Sequence, residues 1–307
     1  MLRKSVPLFV RYGFKNPIGR DLIRKGEGMK KLIVITLLLF SGSLLFIENI
    51  GASDKSLVVM TFNIRVGVGM IKPGTPPHNL KNSPKILDSI AQAIKSVDPD
   101  IVGLQEVQGE NQAKILAETL SMNYSYSRHG NNKDASWWGV AILSKYEIIN
   151  SKNYTVYSGG QKPWRARTII ECTIKVNDKN ISFFNTHFQH QGDALKKEPK
   201  NAIEKISESK NPVILMGDLN MQPDDSNLKP IKDALKDSCE AISNENSNFA
   251  KTNGTFQSPN DPKYDHWRMD YIFYDPKTIR IIDVGLVDKK YWDTSDHIGY
   301  FATIELI

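Results

Sequence analysis

Carboxylates, histidines and asparagines recur in this chain at the ends of strand-like segments. Thr61-Phe62-Asn63 closes one apolar run, Gln105-Glu106 closes a second and Asn185-Thr186-His187 a third. Gly217-Asp218-Leu219-Asn220 follows the run Pro212–Met216, Met269-Asp270-Tyr271 opens a late strand, and Ser295-Asp296-His297 precedes the last one. Each motif alone is an ordinary turn or cap former. Six of them at strand ends in one chain are hard to assemble by chance. Glu106 and Asp296 offer hard oxygen ligands, suited to Mg²⁺ or Mn²⁺ and not to a thiolate-seeking metal. A cation, an activated water and help for a leaving group are what hydrolysis of a phosphate ester requires.

In their order, these motifs resemble the endonuclease/exonuclease/phosphatase superfamily of metal-dependent hydrolases, from about Leu57 to Ile307. The resemblance implies an α/β fold, a four-layer αββα sandwich of two packed mixed β-sheets, with the site at the top of the sheets. It implies Glu106 as principal ligand of Mg²⁺ (or Mn²⁺), Asn63 assisting, and Asp296 in the same metal set. Asp218 and Asn220 match the Gly-Asp-x-Asn pair that orients water and phosphate. His297 and Asp270 match the family's His–Asp pair, in which the carboxylate fixes the tautomer and stabilises the imidazolium. His187 matches a second histidine that meets the phosphate or leaving group. Arg167 stands where many members carry an arginine, expected on the phosphate. The general base is either His297, or Asp218 with His297 polarising the phosphate. A carboxylate beside a metal normally has a low pKa, which favours His297.

The implied substrate is a phosphate ester: nucleic acid, a lipid headgroup, or a sugar or inositol phosphate. A sphingomyelinase-like lipid phosphodiesterase is the alternative within the class. A catalytically inert binding module of the same fold is the alternative outside it, and retention of Glu106, Asp218 and His297 argues against that. No feature points to a protein partner, and a monomer is expected. Some positions depart from the family pattern. Arg65 stands two places after Asn63, where some nucleases carry an acid, and Val140 replaces a common Asn. His190, His266 and Trp267 either shape the pocket or are solvated loop residues. Trp137, Trp138 and Trp164 either form an aromatic rim or pack in the core.

The elements that must position these residues are legible as apolar runs. Strands are expected at Leu57–Asn63, Asp100–Gln105, Trp138–Ser144, Thr168–Val176, Ile181–His187, Val213–Met216, Tyr271–Tyr274, Ile279–Leu286 and Tyr300–Leu306. Ser83-Pro84 reads as a helix start, followed by Ile86, Leu87, Ile90, Ile94 and Val97 at helical spacing. Further helices are expected at Asn111–Leu120, with Ile115, Leu116 and Leu120 on one face, and at Lys200–Ser207 and Leu228–Leu235. Gly67–Asn82 and Gly159–Trp164 read as surface loops. Cys172 alternates with Ile170, Ile174 and Val176, so it reads as a free core thiol. With no repeat or linker, residues 53–307 form one expected domain.

The net charge of +6 suggests a polyanion partner only until it is located. Residues 1–52 carry nine of the 40 Lys/Arg and three of the 34 Asp/Glu, which leaves 31 of each in residues 53–307. The body is therefore formally neutral, and no global attraction to nucleic acid follows. Met29-Lys30-Lys31, the apolar run Leu32–Ile47 and the small residues Gly51-Ala52-Ser53 have the order of a secretory signal peptide starting at Met29. An uncleaved anchor is the rival reading. Residues 1–52 are thus read as an extension plus signal or anchor, and the body as secreted or periplasmic, or tethered. Residues up to about Ala52 or Ser53 are expected to be removed, as read by mass spectrometry of the extracellular or periplasmic fraction. An intact chain confined to the cytoplasm contradicts this.

Overall fold

A computed structural model describes residues 56–70, 83–130, 138–160, 162–258 and 266–307. The signal segment, Trp137 and most of the loop before Ser83 lie outside them. No helix among the described residues is long and apolar enough to cross a membrane. The strands are β1 Leu57–Asn63, β2 Ile101–Val107, β3 Asn123–Arg128, β4 Gly139–Ser144, β5 Ile148–Tyr157, β6 Arg167–Val176, β7 Lys179–His187, β8 Val213–Asp218, β9 Lys236–Asp237, β10 Asp270–Tyr274, β11 Ile279–Leu286 and β12 Tyr300–Leu306. The longer helices are α1 Pro84–Val97, α2 Gly109–Leu120 and α3 Ala194–Ile206.

Two six-stranded sheets result, ordered β11-β12-β1-β2-β4-β3 and β5-β6-β7-β8-β10-β9. Each contains one parallel pair, β1/β2 and β7/β8, and is otherwise antiparallel. In each sheet a helix, α1 or α3, lies in the crossover, because parallel neighbours need a long return connection. The parallel pairing explains the motif positions. β1, β7 and β8 finish with Asn63, His187 and Asp218, and β2 carries Glu106 next to its last residue. β10 and β12, antiparallel to β8 and β1, begin beside them with Asp270 and, just before β12, His297. Every sequence motif thus reaches the same end of the sandwich.

Period-two alternation makes the layers. Inward residues such as Val59, Ile101, Ile142, Ile170, Phe183 and Ile272 form a core between the sheets. Met60, Phe62, Val102 and Leu104 face the other way, onto Leu87, Ile90 and Ile94 of α1 and Leu116 of α2. Phe184, Leu215 and Phe273 face Ala202 and Ile206 of α3. The result is the expected four-layer αββα sandwich.

Local departures from the sequence reading have local causes. Helix α3 begins six residues earlier than the expected Lys200 and takes in Pro199. Inside the helix it forfeits only one backbone bond, and Pro199 is itself buried. Edge strand β3 has no apolar run, only Tyr124 and Tyr126 packed beneath α2, and edge strand β5 is largely exposed. In α2, Ile115 is 40% exposed, and the buried face is Ala113, Leu116 and Ala117 instead. Cys172 and Cys239 are both buried and free.

Toward the motif-bearing end the inter-sheet layer turns polar. Asn185 of β7, fully buried, donates through Nδ2 to the carbonyls of Leu104 (2.9 Å) and Ala141 (2.8 Å) in the opposite sheet. Its Oδ1 accepts from Nε2 of Gln105 at 2.7 Å, which also donates to Thr61 Oγ1 at 3.0 Å. Gly103 makes this approach possible, since a Cβ there would sit 3.0 Å from Asn185 Oδ1 and 3.2 Å from Met216 Cβ. Asn185→Ala should cost about 2–4 kcal/mol, because it strands several buried polar groups at once. A lower urea midpoint with an unchanged m-value is the expected readout. A midpoint equal to wild type would show the tie to be dispensable.

Candidate active site

Strand β2 would by simple alternation turn Glu106 onto the helix layer. A bulge prevents this. The β2/β4 ladder slips between Leu104 and Val107, and Glu106 takes φ +54°, which swings its carboxylate to the inter-sheet end. There it accepts from Asn63 Nδ2 at 3.2 Å. The same amide donates to Asp218 Oδ2 at 3.0 Å, while Asn63 Oδ1 accepts from the Arg65 N–H. Asn63 therefore presents its nitrogen, not its oxygen, to the carboxylates, and joins Glu106 of one sheet to Asp218 of the other.

Asp218 is the hub. Its Oδ1 accepts the Asn220 N–H at 2.9 Å, in a turn that places Asn220 at φ +52°. Its Oδ2 lies 3.4 Å from His187 Nε2 and 3.6 Å from His297 Nε2. Asn220 Nδ2 bonds the Phe188 carbonyl (2.8 Å) and meets His187 Nε2 (3.0 Å). His297 Nδ1 lies 2.8 Å from Asp270 Oδ2. Asp296 pairs with Arg65 Nε at 3.2 Å, so the unexpected arginine counters this acid. Arg65 gets there through left-handed backbone at Arg65, Val66 and Gly67 (φ +44°, +51°, +74°), a strained run for a β-branched residue. Arg167 is buried, its guanidinium 5.0 Å from the Trp138 ring.

Residues absent from the sequence reading hold this array. The Thr255 hydroxyl accepts the N–H groups of Met269 and Asp270, both at 3.0 Å, and its carbonyl accepts that of Ile298. Asp270 and His297 are thereby set from one buried residue. Ser295 Oγ donates to the Asn63 carbonyl at 2.8 Å. His190 and His266 are exposed, and Trp164 is 59% exposed, whereas Trp138 sits against His187 and Arg167.

The electrostatics follow from burial. Burial and the Asp296 carboxylate push Glu106 up to about 7. Burial, aided by Asp270 and opposed by His297, pushes Asp218 up to about 7. Burial opposes charge on His297, but Asp270 and Asp218 outweigh it and raise the ring to about 10. His187 is held well below its usual value by burial and by the Arg167 charge. Ligand atoms of Asp218, Asp270 and His297 lie within 4.8 Å of one another and could hold a metal ion. In that group, however, His297 already supplies a cation between two acids. Glu106 and Asp296 repel each other, a repulsion that His297 and Arg65 only partly offset and that a divalent cation would relieve. The residues therefore fit a hard cation at Glu106 and Asp296.

A four-layer αββα sandwich carrying an Asp–His pair, a Gly-Asp-x-Asn turn and a strand-end Glu at one rim defines a class of phosphoester hydrolases. The chain belongs to the Endonuclease/Exonuclease/phosphatase family, whose sequence model matches residues 60–297. It is 27% identical over 165 residues to exodeoxyribonuclease III of Haemophilus influenzae, covering 49% of this chain and 57% of that protein. It is 22% identical over 282 residues to inositol phosphosphingolipids phospholipase C of Saccharomyces cerevisiae, covering 73% and 56%. The chain thus spans little more than half the length of these curated relatives. Among solved structures, an endonuclease/exonuclease/phosphatase from Bacteroides vulgatus superposes with TM-score 0.67 at 24% identity, covering 82% of this chain and all of the other. A mannosyl-6-phosphatase of Bacteroides thetaiotaomicron superposes with TM-score 0.61 at 24% identity, over 82% and 100%. These two likenesses are of fold.

The raised groups make a stability prediction for the metal-free protein. Glu106, Asp218 and His297, together with Glu198, which burial lifts to about 8, hold protons more tightly folded than unfolded. Their stabilisation is complete at low pH and is lost as pH rises through the folded values. The depressed His129 and His187 act oppositely, but only below their ordinary value of 6.5. In EDTA the melting temperature should therefore fall between pH 6.5 and about 8, by about 2–4 °C for each kcal/mol lost. Adding Mg²⁺ or Mn²⁺ should reverse part of the fall. A flat or rising melting temperature across that window contradicts the assignment.

Proposed function

We propose that this chain is an exported hydrolase of phosphate esters that depends on a divalent metal. The observation that carries the reading is the run of side chains Glu106–Asn63–Asp218–His297–Asp270, half-buried at Glu106 and buried from Asn63 on, which joins a cation set to a proton-transfer set across the two sheets. Export rests on the charged, apolar and small-residue order of Lys30 to Ser53.

A cation held by Glu106 and Asp296 would supply charge neutralisation on the phosphoryl oxygens. The protein's own groups account for the rest. Asp218 accepts the proton of the attacking water as the water oxygen bonds to phosphorus and the bond to the ester oxygen breaks, the leaving group departing with the bonding pair as an alkoxide that takes its proton from solvent. This moves the base role from His297, favoured on sequence, to Asp218. Asp270 and Asp218 keep His297 protonated at neutral pH, so it has no lone pair for water. As an imidazolium, His297 stabilises the negative charge that grows on phosphate in the transition state. Asp270 fixes its orientation through Nδ1. Asn220 and His187, locked to each other, bound the other side of Asp218.

A panel of plasmid DNA, RNA, sphingomyelin, inositol phosphates and sugar phosphates with Mg²⁺ should show hydrolysis of at least one, abolished by excess EDTA. Glu106→Gln should raise the metal requirement and cut turnover at least tenfold, about 1.4 kcal/mol in the barrier. Full activity in EDTA defeats the metal assignment. Release from none of the panel, with binding retained, would favour the inert-module reading.

A further inference from the structure

Arg65 reaches the cation side of the site over strained backbone. Arg65, Val66 and Gly67 have φ +44°, +51° and +74°, and Val66 is β-branched and only 4% exposed. Such strain persists only where the surroundings over-determine it. Here they do. The Val66 carbonyl accepts from Gln112 Nε2 at 2.8 Å, and Gln112 Oε1 accepts the Gln108 N–H at 2.6 Å. The Gly67 carbonyl accepts the Ser83 N–H at 3.1 Å, and a Cβ on Gly67 would lie 2.8 Å from both Gln112 Nε2 and Leu87 Cδ2. The starts of helices α1 and α2 therefore clamp this turn. What the clamp achieves is the placement of one guanidinium and one N–H.

Each of these takes an oxygen from the site. Arg65 Nε lies 3.2 Å from Asp296 Oδ2, and the Arg65 N–H donates to Asn63 Oδ1 at 3.0 Å. The two side chains of the ion pair are 18% and 16% exposed, so this is not a solvated surface pair of little consequence. Glu106 and Asp296 carry two negative charges when ionised, and Arg65 cancels one. A single divalent cation then leaves the trio positive by one, the sign an anionic phosphoryl group requires. Mg²⁺ is commonly held by one or two carboxylates, with waters and phosphate oxygens completing its shell. Two carboxylates are what the trio supplies. In two-metal hydrolytic sites the ions lie about 3.5–4 Å apart. A second ion here would draw on the Asp296 and Asn63 oxygens that Arg65 holds. The other acids are engaged as well: Asp270 Oδ2 and Asp218 Oδ2 flank the His297 ring, 2.8 Å from Nδ1 and 3.6 Å from Nε2.

We propose that Arg65 is a resident cation standing in place of a second metal ion, so that the site takes up one divalent cation beside it. This deepens, and rests on, the phosphoesterase reading above. Arg65 acts through Asp296 and Asn63: it screens the first and turns the amide nitrogen of the second toward Glu106 and Asp218. Unlike a metal ion, a guanidinium tethered by the clamped turn cannot dissociate from the site.

Binding of Mn²⁺ to the metal-free protein tests this without substrate. A titration followed by the electron paramagnetic resonance of unbound Mn²⁺ should give one ion per wild-type chain. Arg65→Met removes a positive charge beside the ion and should bind it roughly tenfold more tightly. Arg65→Glu should take up a second Mn²⁺, seen also as spin-coupling broadening of the bound signal. Arg65→Lys, which keeps the charge, should stay at one ion with an affinity near that of wild type. An arginine that only braces the turn predicts the reverse, weaker Mn²⁺ uptake in Arg65→Met and Arg65→Glu alike. Two ions or none on the wild type overturns the proposal, whatever the variants do. So does a natively folded Arg65→Met that binds no more tightly, or a natively folded Arg65→Glu that holds at one ion. Two ions on a wild type that hydrolyses a panel substrate defeats the Arg65 assignment alone. One ion with no hydrolysis of any panel substrate defeats the phosphoesterase reading alone.

Discussion

Asn185 sets the distance at which the two sheets meet. The apolar layer between them attracts without direction, so it tolerates small slides of one sheet over the other. The side chains at the rim do not, because hydrogen bonds weaken steeply with distance and angle. Asn185 bonds the carbonyls of Leu104 and Ala141, where the opposite ladder is interrupted. Glu106 lies two residues beyond Leu104, and His187 two residues beyond Asn185. One amide therefore gauges the separation of Glu106 and His187. Gly103 is part of the same constraint, since a Cβ there would sit only 3.0 Å from the Asn185 amide and press it back.

Around that tie the protein accumulates acid. Glu106, Asp218, Asp270 and Asp296 crowd the rim, with Arg65 and His297 as the cations paired to them. Burial raises Glu106 and Asp218, and the repulsion among neighbouring acids adds to it. Such a site opposes the stability of the metal-free fold, in keeping with the conflict between stability and function seen at active sites. The left-handed Val66, the bulged Glu106 and the turn at Asn220 belong to the same pattern: irregular backbone lies where side chains must be re-aimed. Arg167 on the other flank, buried with its Nε unpartnered among the described residues, is a second local cost of this kind.

Much of the architecture was legible in local sequence. Period-two apolar runs located the central strands, and the six polar motifs marked which ends of them carry chemistry. These signals are local because a strand buried on both faces must be apolar along its length, and a polar residue at its end stands out. The edge strands β3 and β5 were missed because an edge needs no such run. The first turns of helix α3 carry few apolar residues, and its Pro199 is accommodated by burial in the fold.

What only the tertiary structure decided concerns direction, partnership and charge. Alternation points Glu106 away from the site, and a bulge set by pairing with β4 turns it back. Asn63 was read as a ligand, but its nitrogen faces Glu106 and Asp218, which are 43 and 155 residues away in the chain. Thr255 belongs to no motif, since it acts through neighbours that only folding supplies. Asp270 and Asp218 raise the His297 ring against the opposing effect of burial, and no local pattern encodes that sum. Residue types and their order are written in the chain, whereas dielectric environment and long-range distance exist only after the two sheets have closed on each other.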